Sequence, residues 1–121
     1  MSDVENMLRK FQKELSAGTV SFLLLTQLAK AREPLYGYQI AKQLEQAGEG
    51  ILAGKQSALY PVLRNLESSG LLQSEVKPSV SGPPRRYYRI TEFGREVFTA
   101  WRGLWQQTQT LVNSTLEGAP L

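Results

Sequence analysis

The sequence predicts a mainly α-helical domain with one small β-hairpin and a long final helix, and three observations predict it. Apolar residues recur at spacings of three and four through the first 70 residues; the period then shortens to that of strands on either side of a proline-rich loop; and the stretch from about Glu92 to Leu116 runs helical without a proline. At 121 residues the chain has the size of one domain. A chain of this length buries roughly two thirds of its unfolded surface, enough for a real core.

The first element spans Val4 to Leu15, where Val4, Met7, Leu8, Phe11 and Leu15 fall on one helical face. Gly18 interrupts the pattern and Thr19 is a candidate cap for a second run, with Val20, Leu23, Leu24, Leu28 and Ala31 periodic. The pattern is compatible with two helices or with one bent helix. Pro34 closes the run by pushing the residue before it out of the helical region. A short helix from Gly37 to Gln46 turns Ile40, Ala41 and Leu44 inward and stops at the glycines of 48–50. A further helix covers about Ser57 to Ser69, with Leu59, Val62, Leu63 and Leu66 inward, and Gly70 stands where a left-handed C-terminal cap belongs. Pro61 fits that helix only within its first turn.

Leu72 to Lys77 then alternates, and Arg86 to Thr91 is rich in strand formers; the loop of residues 78–84, with three prolines and a glycine, joins them into a hairpin with a stiff tip. Thr91 caps the final helix, which at 1.5 Å per residue reaches roughly 35 Å, longer than a small domain needs for its own core.

Composition excludes several functions. The chain has neither histidine nor cysteine, so disulfides, thiol nucleophiles, thiolate zinc sites, His-based hydrolases and His-ligated haem are ruled out. Carboxylate-only catalysis has no paired acids to support it; Glu92 and Glu96 are the nearest candidates, and the chain reads as a binding protein without a cofactor rather than an enzyme. No Walker loop, dinucleotide fingerprint or metal-spaced cluster is present. The start is mixed in charge with no apolar signal core, and the most apolar run, Val20 to Leu25, is far below the ~18 residues that span a bilayer. A cytoplasmic location is expected.

Charge is unevenly placed. Residues 1–54 carry six basic and six acidic side chains, whereas residues 55–102 carry eight basic against four acidic, an excess of four. Clustered basic charge is what a phosphate backbone selects, and the predicted elements supply the scaffold. Three compact helices followed by a two-stranded hairpin describe a winged helix-turn-helix, in which the third helix enters the major groove and the wing lies along the backbone. Lys55, Gln56, Ser57 and Tyr60 stand at the start of that third helix, with Arg64 a turn on. Gln and Lys read base edges, while Ser and Tyr hydroxyls bond bases or phosphates. Lys77 stands on one arm of the hairpin and Arg85 and Arg86 on the other, next to Pro83 and Pro84, where little freedom is left to lose on meeting a phosphate. The bland alternatives are solvated polar residues at a helix start and charges that keep sheet edges apart. Tyr38, in the Tyr36-Gly37-Tyr38 segment, reaches a phosphate from the next helix's first turn, or one of the two rings fills the core.

The final helix bears Val97, Trp101, Leu104, Thr108, Leu111 and Thr115 at heptad-like spacing, beside a second stripe of Phe98, Trp105 and Val112. Apolar rows this wide point to a second copy of the chain, to the N-terminal helix around Met7, Leu8 and Phe11, or to both. The expected organisation is a DNA-binding unit with its N-terminal helix over residues 1–91, a dimerisation helix over 92–116 and a tail over 117–121. A winged-helix adaptor that docks on protein instead of DNA is the competing reading.

Three segments carry a resemblance: LYGYQIAKQLE from Leu35, SALYPVLRNLESSGLL from Ser57 and GPPRRYYRITEFGRE from Gly82. In this order, over roughly residues 19 to 98, they resemble the PadR family of bacterial transcription regulators. The resemblance implies a dimeric winged-helix repressor of double-stranded DNA that responds to a small aromatic effector. It assigns base reading to the segment of Ser57 and Tyr60, the wing to Arg85 and Arg86, and a phosphate contact to Tyr38. The single long final helix resembles the shorter, multidrug-sensing members, in some of which paired tryptophans hold planar compounds at the dimer interface; Trp105 matches that position best, with Trp101 a turn away. Two features depart from the pattern. Lys55-Gln56 stands where a Ser-Pro or similar pair is common, so operator sequence does not transfer. Gly103 lies within the final helix, where it costs about 1 kcal/mol relative to Ala.

Overall fold

The computed structural model describes residues 2–48 and 58–121. The described chain runs α1 (Asp3–Lys30), β1 (Leu35–Tyr36), α2 (Gly37–Ala47), α3 (Leu59–Ser68), β2 (Leu72–Lys77), β3 (Arg85–Ile90) and α4 (Glu92–Leu116). The mainly helical class, the hairpin and the long final helix match what the sequence predicts.

Gly18 does not divide the first helix. α1 is continuous over 28 residues, capped at its start by Ser2, whose hydroxyl accepts from the Glu5 amide at 3.0 Å. The Thr19 hydroxyl donates to the Leu15 carbonyl one turn back, at 2.8 Å, so it lies along the helix wall and starts no new helix. Only the second half of α1 reaches the core, where Leu24 and Leu25 are fully buried beside Leu28. Leu25 lies outside the predicted periodic set and is buried because both α3 and α4 pack on this half.

α3 begins at Leu59, which places Pro61 third in the helix, where its missing amide would have no helical partner in any case. Its end is a Schellman turn: Gly70 adopts φ +85°, its amide donates to the Glu67 carbonyl at 2.9 Å, and the Leu71 amide donates to Leu66 at 3.0 Å. The chain therefore reverses straight into β2. At the other end of the hairpin, Thr91 joins three elements. Its hydroxyl accepts from the Gly94 amide at 2.9 Å, capping α4, and donates to the Gly70 and Leu71 carbonyls at 2.7 and 3.1 Å.

The sheet has one strand more than the sequence predicts. β1 adds to the free edge of β3, so the order is β1-β3-β2, all antiparallel. Its register pairs Leu35 with Tyr88 and Tyr36 with Tyr87, while β2 pairs Ser74 with Tyr88, Val76 with Arg86 and Lys77 with Arg85. The core lies between this sheet and the helices: Ile40, Leu44, Leu63, Leu66, Leu72, Tyr88 and Ile90 close around α1. Burying a leucine in such a core contributes roughly 1.5–3 kcal/mol.

α4 leaves the domain. Val97, Phe98 and Trp101 pack partly against the core, and the Phe22 ring stacks with Phe98 at 6.1 Å between centroids and meets Trp105 at 6.4 Å. Beyond that cluster neither long helix covers the other's apolar face: Phe11 on α1 is 58% exposed and Leu111 on α4 is 66% exposed. No helix among the described residues is long and apolar enough to cross a membrane.

Candidate nucleic-acid interface

The start of α2, the face of α3 and the root of the wing border one open groove of about 790 Å³. Among the described residues, four tyrosines (36, 38, 60 and 88) and three arginines (64, 85 and 86) line it, with Glu67 as the one acid. The fold brings these distant segments together through two close approaches. Gln39 turns back to accept a hydrogen bond from the Tyr36 amide at 3.1 Å, which fixes the entry to α2. The Tyr60 ring of α3 then lies directly on Gly37, so close that a Cβ there would collide with it. Any side chain at this position would have to displace the ring.

β3 sorts its residues by face, since successive side chains of a strand point to opposite sides. Arg86 and Tyr88 share the side facing α3. Tyr88 is buried there, and its phenol is held above the usual value of 10.0, first by burial and then by the Glu67 carboxylate. Arg85 and Tyr87 share the other side, with Tyr36 from β1 and Lys77 from β2. The Arg85 guanidinium lies 4.4 Å from the centre of the Tyr36 ring, Tyr36 meets Tyr87 edge-on at 5.5 Å, and the Lys77 ammonium sits 5.6 Å above Tyr87. Tyr38 continues the row, stacked on Tyr36 at 6.4 Å, half exposed, and with the Lys42 ammonium 5.7 Å above its ring. The three rings touch in a row and each carries a cation, an arrangement that orders long basic side chains while their charge still faces solvent.

Tyr38, Tyr60, Arg64, Arg85 and Arg86 therefore border one groove, with Lys77 beside it on the outer face of the wing. Lys55, Gln56 and Ser57 lie outside the described residues. Sequence reasoning missed Tyr36, Lys42, Glu67, Ser74, Tyr87 and Tyr88. The strand alternation of RRYYRI already separates Arg85 from Arg86 and Tyr87 from Tyr88, whereas the involvement of Tyr36 depends on β1, a two-residue strand with no local signal. The wing tip is built around a residue the sequence reading also passed over: the Ser79 hydroxyl faces the carbonyls of Ser81, Gly82 and Pro83 at 2.9, 3.0 and 2.9 Å.

The predicted interface and effector residues divide into two groups. Phe98 and Trp101 are partly covered by the chain's own core and by Phe22. Leu104, Thr108, Leu111 and Val112 are exposed, and Trp105 is 40% exposed at the rim of the Phe22 cluster. A Cβ at Gly103 would meet nothing within 4 Å.

Comparison with known proteins fits this architecture. The model of the Transcriptional regulator PadR-like family matches residues 24–100, which includes every strand, α2, α3 and the first part of α4. A transcriptional regulator of Mycobacterium tuberculosis is 38% identical over 69 residues, covering 57% of this chain and 61% of that protein. The fold is similar to the crystal structure of a PadR family transcriptional regulator from Eggerthella lenta, with a TM-score of 0.79 and 36% identity over 95% of this chain and 96% of that one. A PadR-like transcriptional regulator from Bacillus cereus aligns with a TM-score of 0.71 and 28% identity, over 87% of this chain and 98% of that one.

Proposed function

The chain belongs to the PadR-like family of transcriptional regulators, a family of regulators rather than enzymes, and we propose that it acts as a homodimeric repressor that binds a palindromic operator and answers to a planar aromatic effector. The observation that carries the DNA-binding part is the groove, in which three arginines and four tyrosine rings from β1, α2, α3 and the wing converge around Glu67, counted among the described residues. In this reading α3 and the residues before it, Lys55, Gln56 and Ser57, enter the major groove. Tyr38, Tyr60 and Arg64 meet phosphates at its edge, and the wing that carries Lys77, Arg85 and Arg86 lies along the backbone. The excess of four positive charges in residues 55–102 supports the same orientation.

Dimerisation is supported by the exposed apolar faces of α1 and α4, which a second copy of the chain would cover. Two-fold symmetry then sets half-sites roughly one helical turn apart, ~10 bp. Trp105, partly exposed at the rim of the Phe22 cluster, is the residue best disposed to stack on an aromatic effector at that interface.

Selection of bound duplexes from a random pool tests this reading directly. The expected result is an enriched, two-fold symmetric motif that resists competitor DNA. Recovery of unrelated duplexes with no shared motif would instead point to an adaptor that docks on protein.

A further inference from the structure

The two arginines at the root of the wing are neighbours in sequence but have different surroundings. The Glu67 carboxylate, in the last turn of α3, accepts a hydrogen bond from the Ser74 hydroxyl at 2.6 Å. The same hydroxyl oxygen accepts from the Arg86 guanidinium at 2.9 Å. One side chain on β2 thus uses its single proton toward an anion and its lone pair toward a cation, so the polarity of each bond strengthens the other. The chain of contacts runs from α3 through β2 to β3, beneath the buried ring of Tyr88, the register partner of Ser74. Arg85 leaves β3 on the opposite side of the strand, and its guanidinium lies over the Tyr36 ring at the edge of the same groove, which leaves its N–H donors for another partner.

We propose that Arg86 is a positioning residue and Arg85 the phosphate contact: Glu67, acting through Ser74, holds Arg86 and thereby fixes the wing to the helix that reads DNA. The inference rests on the DNA-binding role proposed above and assigns separate tasks within it. A wing free to rock on α3 would still attract DNA of any sequence through its charge. It would no longer reach the backbone in register with α3, so the loss would fall on the preference for the operator over unrelated DNA.

The experiment compares five variants of the chain (Arg85→Ala, Arg86→Ala, Ser74→Ala, Ser74→Thr, and Ser74→Ala with Arg86→Ala) on the selected operator and on an unrelated duplex across a salt series. Arg85→Ala is expected to reduce the salt slope on both duplexes by about one, the effect of one phosphate contact. Arg86→Ala is expected to leave the slope on the unrelated duplex unchanged and to lower the operator preference about tenfold, the scale of one charge-assisted hydrogen bond. Ser74→Ala keeps every charge and should reproduce that loss; the double variant should be no worse than either single one, and Ser74→Thr should restore the preference. A slope reduction by Arg86→Ala equal to that of Arg85→Ala, or additive losses in the double variant, overturns the proposal. Independently of DNA, the Arg86 Nε–H should be rigid by heteronuclear NOE in the wild type and mobile in Ser74→Ala. Equal mobility in the two overturns the strut. A rigid Arg86 in a protein that forms no competitor-resistant complex would count instead against the DNA-binding reading.

Discussion

At the scale of single residues, Tyr88 links the core to the wing and gives the molecule a definite response to alkali. Its phenolic proton is held more tightly in the folded chain than in the unfolded one, because the phenolate would be buried and would face Glu67. A group of this kind adds to stability fully below its unfolded value, near pH 10, and that contribution is lost as the pH rises from there through the raised folded value. Urea unfolding of the wild type should therefore weaken above about pH 10, and Tyr88→Phe should flatten that decline. An alkaline decline equally steep in both proteins would show that burial of Tyr88 does not govern it. The neighbouring Arg86 illustrates what a strand's period decides. Adjacent basic residues look like one patch in the sequence, but the pleat sends them to opposite faces, and only the register with Ser74 and Tyr36 says what each one meets.

Among the elements, those governed by local chemistry were legible and those governed by distant pairing were not. β2 and α4 fall where the alternation and the Thr91 cap place them, and the Gly70 cap forms as the glycine dictates. The continuity of α1 across Gly18 was not decidable locally. A glycine costs a helix about 1 kcal/mol, an amount that the helix on either side and the anchoring of Leu24, Leu25 and Leu28 outweigh. The consequence is a pair of long helices whose outer apolar faces lie open. Phe11→Asp on α1 or Leu111→Asp on α4 should each weaken self-association about 100-fold or more, since either puts an unpaired charge into an apolar interface. Sedimentation equilibrium would read the change, with circular dichroism expected to retain the helical signal. A wild-type chain that sediments as a monomer at micromolar concentration would remove the basis for the dimer.

The molecule as a whole pairs a polar, basic surface at one end with an apolar, aromatic one at the other. The first is the groove of α2, α3 and the wing; the second is the Phe22, Phe98 and Trp105 cluster continued by the open faces of α1 and α4. Because α4 starts at the sheet through Thr91 and ends beyond the core, in the proposed dimer a shift of one α4 against its partner's would reach the wings through a stiff element. Planar aromatic compounds are accordingly expected to quench tryptophan fluorescence saturably in the wild type. Trp105→Ala should abolish the saturable part while the emission of Trp101 persists, and quenching that survives the substitution would place the effector elsewhere.

The sequence by itself determined the winged-helix architecture, the Gly70 and Thr91 caps, the uneven charge and the absence of thiol and imidazole chemistry. Each of these follows from residue type and short-range spacing, which act on the chain before it folds. Tertiary structure alone decided the third strand, the seating of Tyr60 on Gly37, the row of rings and cations from Tyr38 to Lys77, and the separate surroundings of Arg85 and Arg86. These depend on contacts between segments tens of residues apart, whose geometry is set only when the core closes and fixes the register of β3 between its two neighbours.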